Sequence, residues 1–536
     1  MREESSAVRG MFILSIAGII AKVLSVFYVP MLIGILGDEG YGIYQQSTEV
    51  FVFVYAITCM GAQPAVAKVV TELTALENPK GAIRALQLSR KFYMIMGGVL
   101  GLLMMLLAFP IGNISGHTSM AYGIIALGPC VLITSILATY RGYMQGKGNM
   151  TSIAISQILE QILNVVISLL FAFILRQISL PLGSAGGQIG TSVGAMFACF
   201  YLIYSYDKKR YMEEAMEHPS ARRKASDKKI LRKIIMYSVP ITISAGLQNF
   251  GGLVDMVNVM SRLTFAGFSE TEGNILYSFL GRYKTLYGVP LIIITAIGTT
   301  VLPAISRSVV LNEKKEVKKK ISYAFRLTFA IAIPAAVGLG MLSNLVYFSI
   351  YGNDNGARIM TLGSFILVLM AMTQIQSVVL QSINKLYYIL GTFCIGILFK
   401  IVLNYIFVGI ADINVYGVLI GNCFWHLIPA VLNHRKICST MKMRLSVFKL
   451  IIKPVLASSA MGIVIYLLKL PLEFLYRFVE PSRLTSIPLT IIMVSVGSFV
   501  YLYLMIVMGG IRKRDIETIS PKIMRVMPRF MRKKLK

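Results

Sequence analysis

Charge is what this chain has least of. Of 536 residues, 14% are Asp, Glu, Lys or Arg and 56% are hydrophobic, whereas soluble domains carry roughly 25% charged residues. Too few charges remain to coat a soluble fold this apolar, which excludes a soluble enzyme, a disordered scaffold and a DNA-binding module. Acidic residues are scarcer still, 24 against 53 Lys and Arg, for a net charge of +29. On a soluble chain that excess would suggest nucleic acid. Here the basic residues fall between apolar runs, where they set topology and meet anionic lipid headgroups. Of the four histidines, His117 and His218 lie in loops and His426 and His434 in one apolar run. There is no HExxH, no P-loop and no nucleophile triad, and the single tryptophan, Trp425, reads as packing. Cys59, Cys130, Cys199, Cys394, Cys423 and Cys438 form no CxxC pair and no Cys/His ligand spacing, so buried free thiols are expected. A cleavable signal peptide is not evident either. The first apolar run, Met11 to Leu36, is too long for one and lacks an obvious cleavage site, so it reads as a first span.

Long apolar runs are what the chain does have. A spanning helix needs about 20 residues, so fourteen spans of about 23 would take up roughly 320 residues and leave only short loops. The expected fold is an all-α polytopic membrane protein of about 14 transmembrane helices. Residues 1–205 hold spans one to six, 206–233 form a charged linker, and 234–438 hold spans seven to twelve. Residues 439–510 hold spans thirteen and fourteen, and 511–536 form a basic tail suited to an amphipathic helix on the inner leaflet. The N-terminus, the loops after even-numbered spans and the tail carry 43 Lys and Arg, against 6 in the loops after odd-numbered spans. By the positive-inside rule both termini and the 206–233 linker are cytoplasmic, in a multi-pass protein of a bacterial plasma membrane.

Two short matches point to an internal repeat. PAVAK at 64–68 and PAISR at 303–307 end spans two and eight, and MQG at 144–146 and LQS at 380–382 follow spans four and ten, at offsets of 239 and 236. Six plus six spans in one orientation imply two lobes in parallel repeat, with two C-terminal helices outside it.

Polar residues recur at helical spacing inside the spans. Span seven carries Ser244, Gln248, Gly251, Asp255 and Asn258 on one face, and span five carries Gln157, Glu160, Gln161, Asn164 and Ser168. Span ten has Gln374, Ser377, Gln381 and Asn384, and span two has Gln45 and Glu49. Such faces line a wet cavity, for which Gln45, Glu49, Gln157, Gln161 and Gln248 are the candidates, or they hydrogen-bond between helices in a dry bundle. Four cations lie inside spans: Lys22 in span one, Arg282 and Lys284 in span eight, and Lys400 in span eleven. An intramembrane charge is costly and marks a functional site by default. An anionic substrate would account for these cations, since phosphate oxygens pair with Lys and Arg. Snorkelling, or neutralisation by Glu49 or Asp255, is the alternative. Asp255 also suits a hard-cation site, its carboxylate being the right ligand chemistry.

LGDEGYGIYQ at 36–45, GAQPAVAKVV at 61–70, YRGYMQGKGNMTSIAISQILEQ at 140–161 and LPAISRS at 302–308 resemble the polysaccharide-exporter branch of the multidrug/oligosaccharidyl-lipid/polysaccharide flippase superfamily. The likeness is greatest to the stage V sporulation protein B group and related MurJ-type lipid II flippases. It covers nearly the whole chain, and the 140–161 stretch is its most specific piece. The resemblance implies two six-helix lobes around a central cavity, alternating access, and a groove for a polyprenyl tail on the last two helices. It implies substrate cations at Lys22 and at Lys284, with Arg282 beside it, and a packing in which Asn404 partners Asp255. A second span-one cation of the family falls on Tyr28 here, and its cation near the end of span two meets Gly61-Ala62-Gln63-Pro64.

The function expected is a flippase, not an enzyme. It would carry an undecaprenyl-pyrophosphate-linked cell-wall or polysaccharide precursor such as lipid II from the inner to the outer leaflet. A cation-coupled multidrug antiporter would favour acidic cavity residues and no tail groove, and a glycan polymerase or ligase would need a large outer catalytic loop. Expected partners are the lipid-linked anionic glycan and the anionic bilayer, not nucleic acid. No cofactor or metal is expected, with coupling to Na+, H+ or membrane potential.

Overall fold

The structure, a computed structural model, describes residues 2–217, 226–443, 445–475, 483–511 and 532. Side chains are described from Ala17 on, except those of Ile19, Lys22, Glu214, Glu217, 472–475 and Leu484. Regular structure among the described residues is helical throughout. In chain order it runs α1 (Arg2–Thr58), α2 (Ala62–Ala75), α3 (Pro79–Leu106), α4 (Ala108–Ser115), α5 (Ala121–Gly146), α6 (Met150–Arg176), α7 (Leu180–Lys208), α8 (Tyr211–Glu217) and α9 (Asp227–Phe265). It continues with α10 (Glu270–Val310), α11 (Lys314–Met341), α12 (Ser343–Tyr351), α13 (Ala357–Gly363), α14 (Ile366–Ser382), α15 (Leu386–Val408), α16 (Gly417–Met441), α17 (Val447–Leu475) and α18 (Arg483–Val507).

Among the described residues, twelve stretches are long and apolar enough to cross a membrane, and the bent pair of α13 and α14, 56° apart, makes a thirteenth. One of the twelve, Val23–Ala75, is 53 residues, about 80 Å of helix at 1.5 Å per residue and far more than one crossing needs. Its chain reverses at Gly37, whose φ of 71° breaks α1 and favours a residue without Cβ. In a straight helix Tyr28 and Tyr44 would lie about 24 Å apart; here their hydroxyls are 3.5 Å apart. Counting the two arms separately brings the total to the expected fourteen.

The chain packs as two compact units. The first is Met1–Gly281 with Ile401–Val418, and the second is Arg282–Lys400 with Leu419–Lys536. The division falls inside α10, α15 and α16, not in the 206–233 linker, and α9 packs with the N-terminal helices. Glu72 on α2 accepts from Lys233 at 2.6 Å and Tyr237 at 3.1 Å. Lys68 lies 3.8 Å above the Tyr237 ring, and Arg84 on α3 grips Asp227 with both Nε and Nη2. The linker itself is partly helical: α7 runs to Lys208, α8 follows, and α9 begins at Asp227. Residues 218–225, and the basic tail except Ile511 and Arg532, lie outside the described residues.

In the first unit the helix starts are set locally. Asn78, Asn149 and Ser179 each accept a hydrogen bond from the backbone N–H three residues on, satisfying a donor the helix leaves open. The tightest interface, α6 on α7, is built on glycine. A Cβ at Gly186 would stand 2.5 Å from the Phe171 carbonyl oxygen, at Gly190 2.5 Å from that of Asn164, and at Gly194 2.5 Å from that of Glu160. This four-residue repeat of small residues lets two backbones touch where lipid supplies no hydrophobic drive.

In the second unit the core is apolar, with Phe325 and Phe329 of α11, Ile375 and Val379 of α14, Phe393 of α15 and Ile437 of α16 in one cluster. The last two helices are fastened to it by polar contacts. The Tyr501 hydroxyl donates to Ala330 O at 2.7 Å, Ser349 and Thr490 hydroxyls lie 2.6 Å apart, and Lys469 donates to Met341 O at 3.1 Å. Outward faces are apolar: Ile395, Leu398 and Phe399 on α15 and Ile491, Val494 and Leu502 on α18 are exposed. Surface of this kind along whole helices suits lipid rather than water. Cys394 belongs to such a face and is exposed, which corrects the expectation of a buried thiol. Cys59, Cys130 and Cys199 are buried, and Cys423 and Cys438 are half-buried.

Candidate functional site

The cations of α10 part company in the structure. Residues two apart on a helix do not share a face. The Arg282 side chain turns inward, 0% exposed, and its Nη1 donates to Asn353 Oδ1 at 2.7 Å and to Asn355 O at 3.1 Å. Its guanidinium also lies 5.0 Å from the Tyr351 ring. Arg282 therefore ties α10 to the turn that follows α12. Lys284 is only half-buried. On α15, Lys400 is fully buried with its Nζ 4.1 Å above the Trp425 ring. Trp425 is thus a cation–π partner as well as packing. Lys22 sits in the first arm of α1, and its side chain lies outside those described.

Asp255 and Asn404 come together within the first unit. Asn404 Nδ2 donates to Asp255 Oδ1 at 2.9 Å, and both side chains are buried. The same face of α9 continues along α15, with Asn258 Nδ2 donating to Ile401 O at 2.9 Å and Arg262 Nε to Tyr405 O at 3.0 Å. Asn404 Oδ1 has no hydrogen-bond partner among the described residues, so a carboxylate and an open amide oxygen lie side by side.

The other stripes divide by role. On α6, the Ser168 hydroxyl donates to Gly187 O at 2.6 Å and to Asn164 Oδ1 at 2.9 Å, and Thr191 of α7 donates to Asn164 Oδ1 at 3.3 Å. This end of the stripe bonds helix to helix. Its other end meets a cavity of about 230 Å³ that takes Glu160 into its wall and neither Gln157 nor Gln161. Both of these are half-buried. Gln45 Nε2 donates to the Tyr41 hydroxyl at 2.6 Å. Glu49 is half-buried, its carboxylate occupying the space left by the missing side chain of Gly252. Gln248 is exposed and donates to Ser244 Oγ at 3.3 Å. On α14, Gln374 Nε2 donates to Thr295 Oγ1 at 2.5 Å.

Several polar contacts were not anticipated. Gln46 donates to Asn274 Oδ1 at 2.7 Å in the buried interior, and Gln188 Nε2 serves Tyr44 O, Ser47 Oγ and Thr48 Oγ1. Arg141 Nη2 lies 2.6 Å from Glu160 Oε2. Gln63 Nε2 donates to Gln145 Oε1 at 2.9 Å, joining the two matched segments of the first repeat. In the second unit Ser382 Oγ donates to Leu302 O at 3.3 Å, an equivalent joint between the matched segments there. Outside the spans, the His117 ring is buried between Thr264, 3.2 Å from Nε2, and Glu270, 3.8 Å from Nδ1. Burial holds its pKa below the usual imidazole value despite the Glu270 carboxylate.

Helices with apolar outer surfaces, long enough to cross a membrane and carrying buried cations and polar stripes, define a multi-pass membrane protein. The chain belongs to the polysaccharide biosynthesis protein family, whose profile matches residues 7–309. It is 23% identical over 533 residues to the lipid II flippase MurJ of Bacillus subtilis, covering 95% of this chain and 96% of that protein. It is 24% identical to stage V sporulation protein B of the same organism, over 70% of this chain and 73% of that one. Among solved structures, the lipid II flippase MurJ in an inward closed conformation matches with a TM-score of 0.65 at 17% identity, over 93% of this chain and 97% of that one. An inward-facing multidrug transporter of the MATE family and MOP superfamily matches at 0.64 and 16% identity, over 78% and 95%. These likenesses to solved structures are likenesses of fold.

Proposed function

We propose that this protein flips an undecaprenyl-pyrophosphate-linked glycan or peptidoglycan precursor from the inner to the outer leaflet by alternating access, without altering it chemically. The observation that carries the reading is the end-to-end likeness to a lipid II flippase, 95% of this chain against 96% of that one. The flippase structure also accounts for 93% of this chain, where the multidrug transporter accounts for 78%. The difference is of the size expected for two added C-terminal helices, which would serve a polyprenyl tail. The cations inside the spans favour an anionic headgroup over a cationic drug. Pyrophosphate must leave bulk water to cross, and charge-assisted hydrogen bonds count for more at lower dielectric. Lys22 and Lys284 are the groups that offset its charge during passage. Arg282, committed to Asn353 and Asn355, positions the outer turn and adds its field.

Depleting the protein should cause one lipid-linked intermediate to accumulate on the inner leaflet; a strain with unchanged lipid-linked pools and altered drug resistance would favour the antiporter. Both termini and the linker are cytoplasmic in this reading, on the 43-to-6 basic asymmetry. Reporter fusions at Ser220 and after Lys536 should both report the cytoplasm. For coupling, Asp255 with Asn404 offers oxygen ligands fit for Na+ or H+. Asp255→Asn should abolish any dependence of transport on the ion gradient, and unchanged dependence would leave membrane potential or cargo supply as the drive.

A further inference from the structure

The stretch 140–161 has no part in the cationic headgroup reading, yet two of its charged members, Arg141 and Glu160, meet at a cavity wall. Arg141 at the end of α5 and Glu160 one turn short of mid-α6 are 19 residues apart in sequence and form an ion pair of 2.6 Å. Arg141 Nε also donates to Ser156 Oγ at 3.2 Å. The Arg141 side chain is 10% exposed and that of Glu160 25%. A pair this enclosed is weak evidence for stability, because desolvation offsets most of the attraction. The cavity it borders, about 230 Å³, also takes in Tyr55, Gln63 and Thr134. That is the space of roughly eight waters at about 30 Å³ each.

We infer that this cavity is a subsite for one neutral sugar ring of the lipid-linked cargo, an inference that rests on the flippase reading above. The wall is polar but electrically balanced. An anion would have to displace Glu160 from Arg141, and a cation would have to displace Arg141 from Glu160. A hydroxylated ring has no such conflict. One hydroxyl accepts from the guanidinium while its neighbour donates to the carboxylate, and the pair stays intact. The Gln63 amide and the Thr134 hydroxyl supply a further donor and acceptor, and Tyr55 offers an aromatic face for the ring's C–H groups. The size admits a single ring with its hydroxyls. The cavity is lined by the end of α1, the first turn of α2, the second half of α5 and the middle of α6, so it lies within the spans, where a headgroup in passage would meet it. Headgroup charge and sugar identity are then read by different residues: Lys22 and Lys284 for the phosphates, the Arg141–Glu160 cavity for the ring.

The test uses the full chain in nanodiscs and two probes, undecaprenyl pyrophosphate alone and the same lipid carrying one N-acetylhexosamine. The wild-type protein should bind the glycosylated lipid about tenfold more tightly. Gln63→Ala and Thr134→Val, which leave the ion pair in place, should each cut that ratio about threefold without weakening the bare lipid. Glu160→Gln should remove most of it. Equal binding of both probes by the wild-type protein, or an unchanged ratio in both Gln63→Ala and Thr134→Val, would overturn the subsite and leave the flippase reading standing. Weakened binding of the bare lipid in these variants would mean that the cavity reads phosphate, which also overturns it. Binding of neither probe by the wild-type protein would instead defeat the flippase reading and the subsite with it.

Discussion

The two units set buried basic side chains among different groups. In the first, Arg141 is met by a carboxylate, Glu160, at 2.6 Å. In the second, Arg282 donates to an amide oxygen and a backbone carbonyl and lies near a tyrosine ring, and Lys400 lies over Trp425. A guanidinium paired with a carboxylate presents no net charge, so the Arg141–Glu160 wall suits a neutral, hydroxylated ligand. The helix packing of the two units differs as well. The α6–α7 interface closes over bare glycines, while the second unit packs aromatic and branched side chains.

The largest expected effect concerns the two lysines assigned to the headgroup, one in each unit. Alanine at both Lys22 and Lys284 should abolish transport while membrane insertion persists, and arginine at either position should retain part of it, as read by accumulation of the lipid-linked intermediate. Next comes packing. Gly190→Val in the first unit drives a side chain into Ser168 and the Asn164 carbonyl and should cost about 1–3 kcal/mol or more, or prevent folding. Gly338→Ala in the second unit meets open space and should leave the melting temperature unchanged within about 2 °C. Arg282→Met should be intermediate. The partners it leaves in the turn after α12 should cost about 1–3 kcal/mol, and transport should fall without vanishing. If Arg282→Met is as inactive as the double lysine variant, Arg282 touches the cargo and the division of labour on α10 is wrong.

The smallest effect concerns His117. Its folded-state pKa is lowered by burial, so the folded protein resists taking up the proton. Stability is then full above the unfolded value of about 6.5 and declines as the pH falls below it. Melting curves between pH 7.5 and 5.5 should show this decline, and His117→Gln should flatten it. An equal decline in that variant would place the sensitivity elsewhere.

Much of the fold can be read from residue order alone, because twenty-residue apolar runs have few alternatives in lipid. Even the reversal inside α1 is signalled by Asp38, Glu39 and two glycines between apolar stretches. The site was less accessible. Helical spacing placed Gln157, Glu160 and Gln161 on one stripe, but 3.6-residue periodicity does not say which member meets a cavity and which meets a neighbour. Arg141 borders an apolar run in the sequence, and its pairing with Glu160 depends on how α5 meets α6. The glycines at 186, 190 and 194 did carry a signal, a four-residue repeat of small residues, that would have identified the α6–α7 contact. Arg282 and Lys284 looked equivalent in sequence, although their spacing of two already set them on different faces.

Purified protein reconstituted into liposomes offers the most direct measurement, with undecaprenyl-pyrophosphate-linked disaccharide supplied in one leaflet and its exposure on the other followed by an impermeant modifying enzyme. The wild-type chain should equilibrate the lipid-linked sugar across the bilayer, and the Lys22→Ala/Lys284→Ala variant should leave it where it was placed. Full equilibration by the double variant would contradict the cationic reading of the site. A wild-type protein that moves a cationic drug but not the lipid would contradict the proposed function itself.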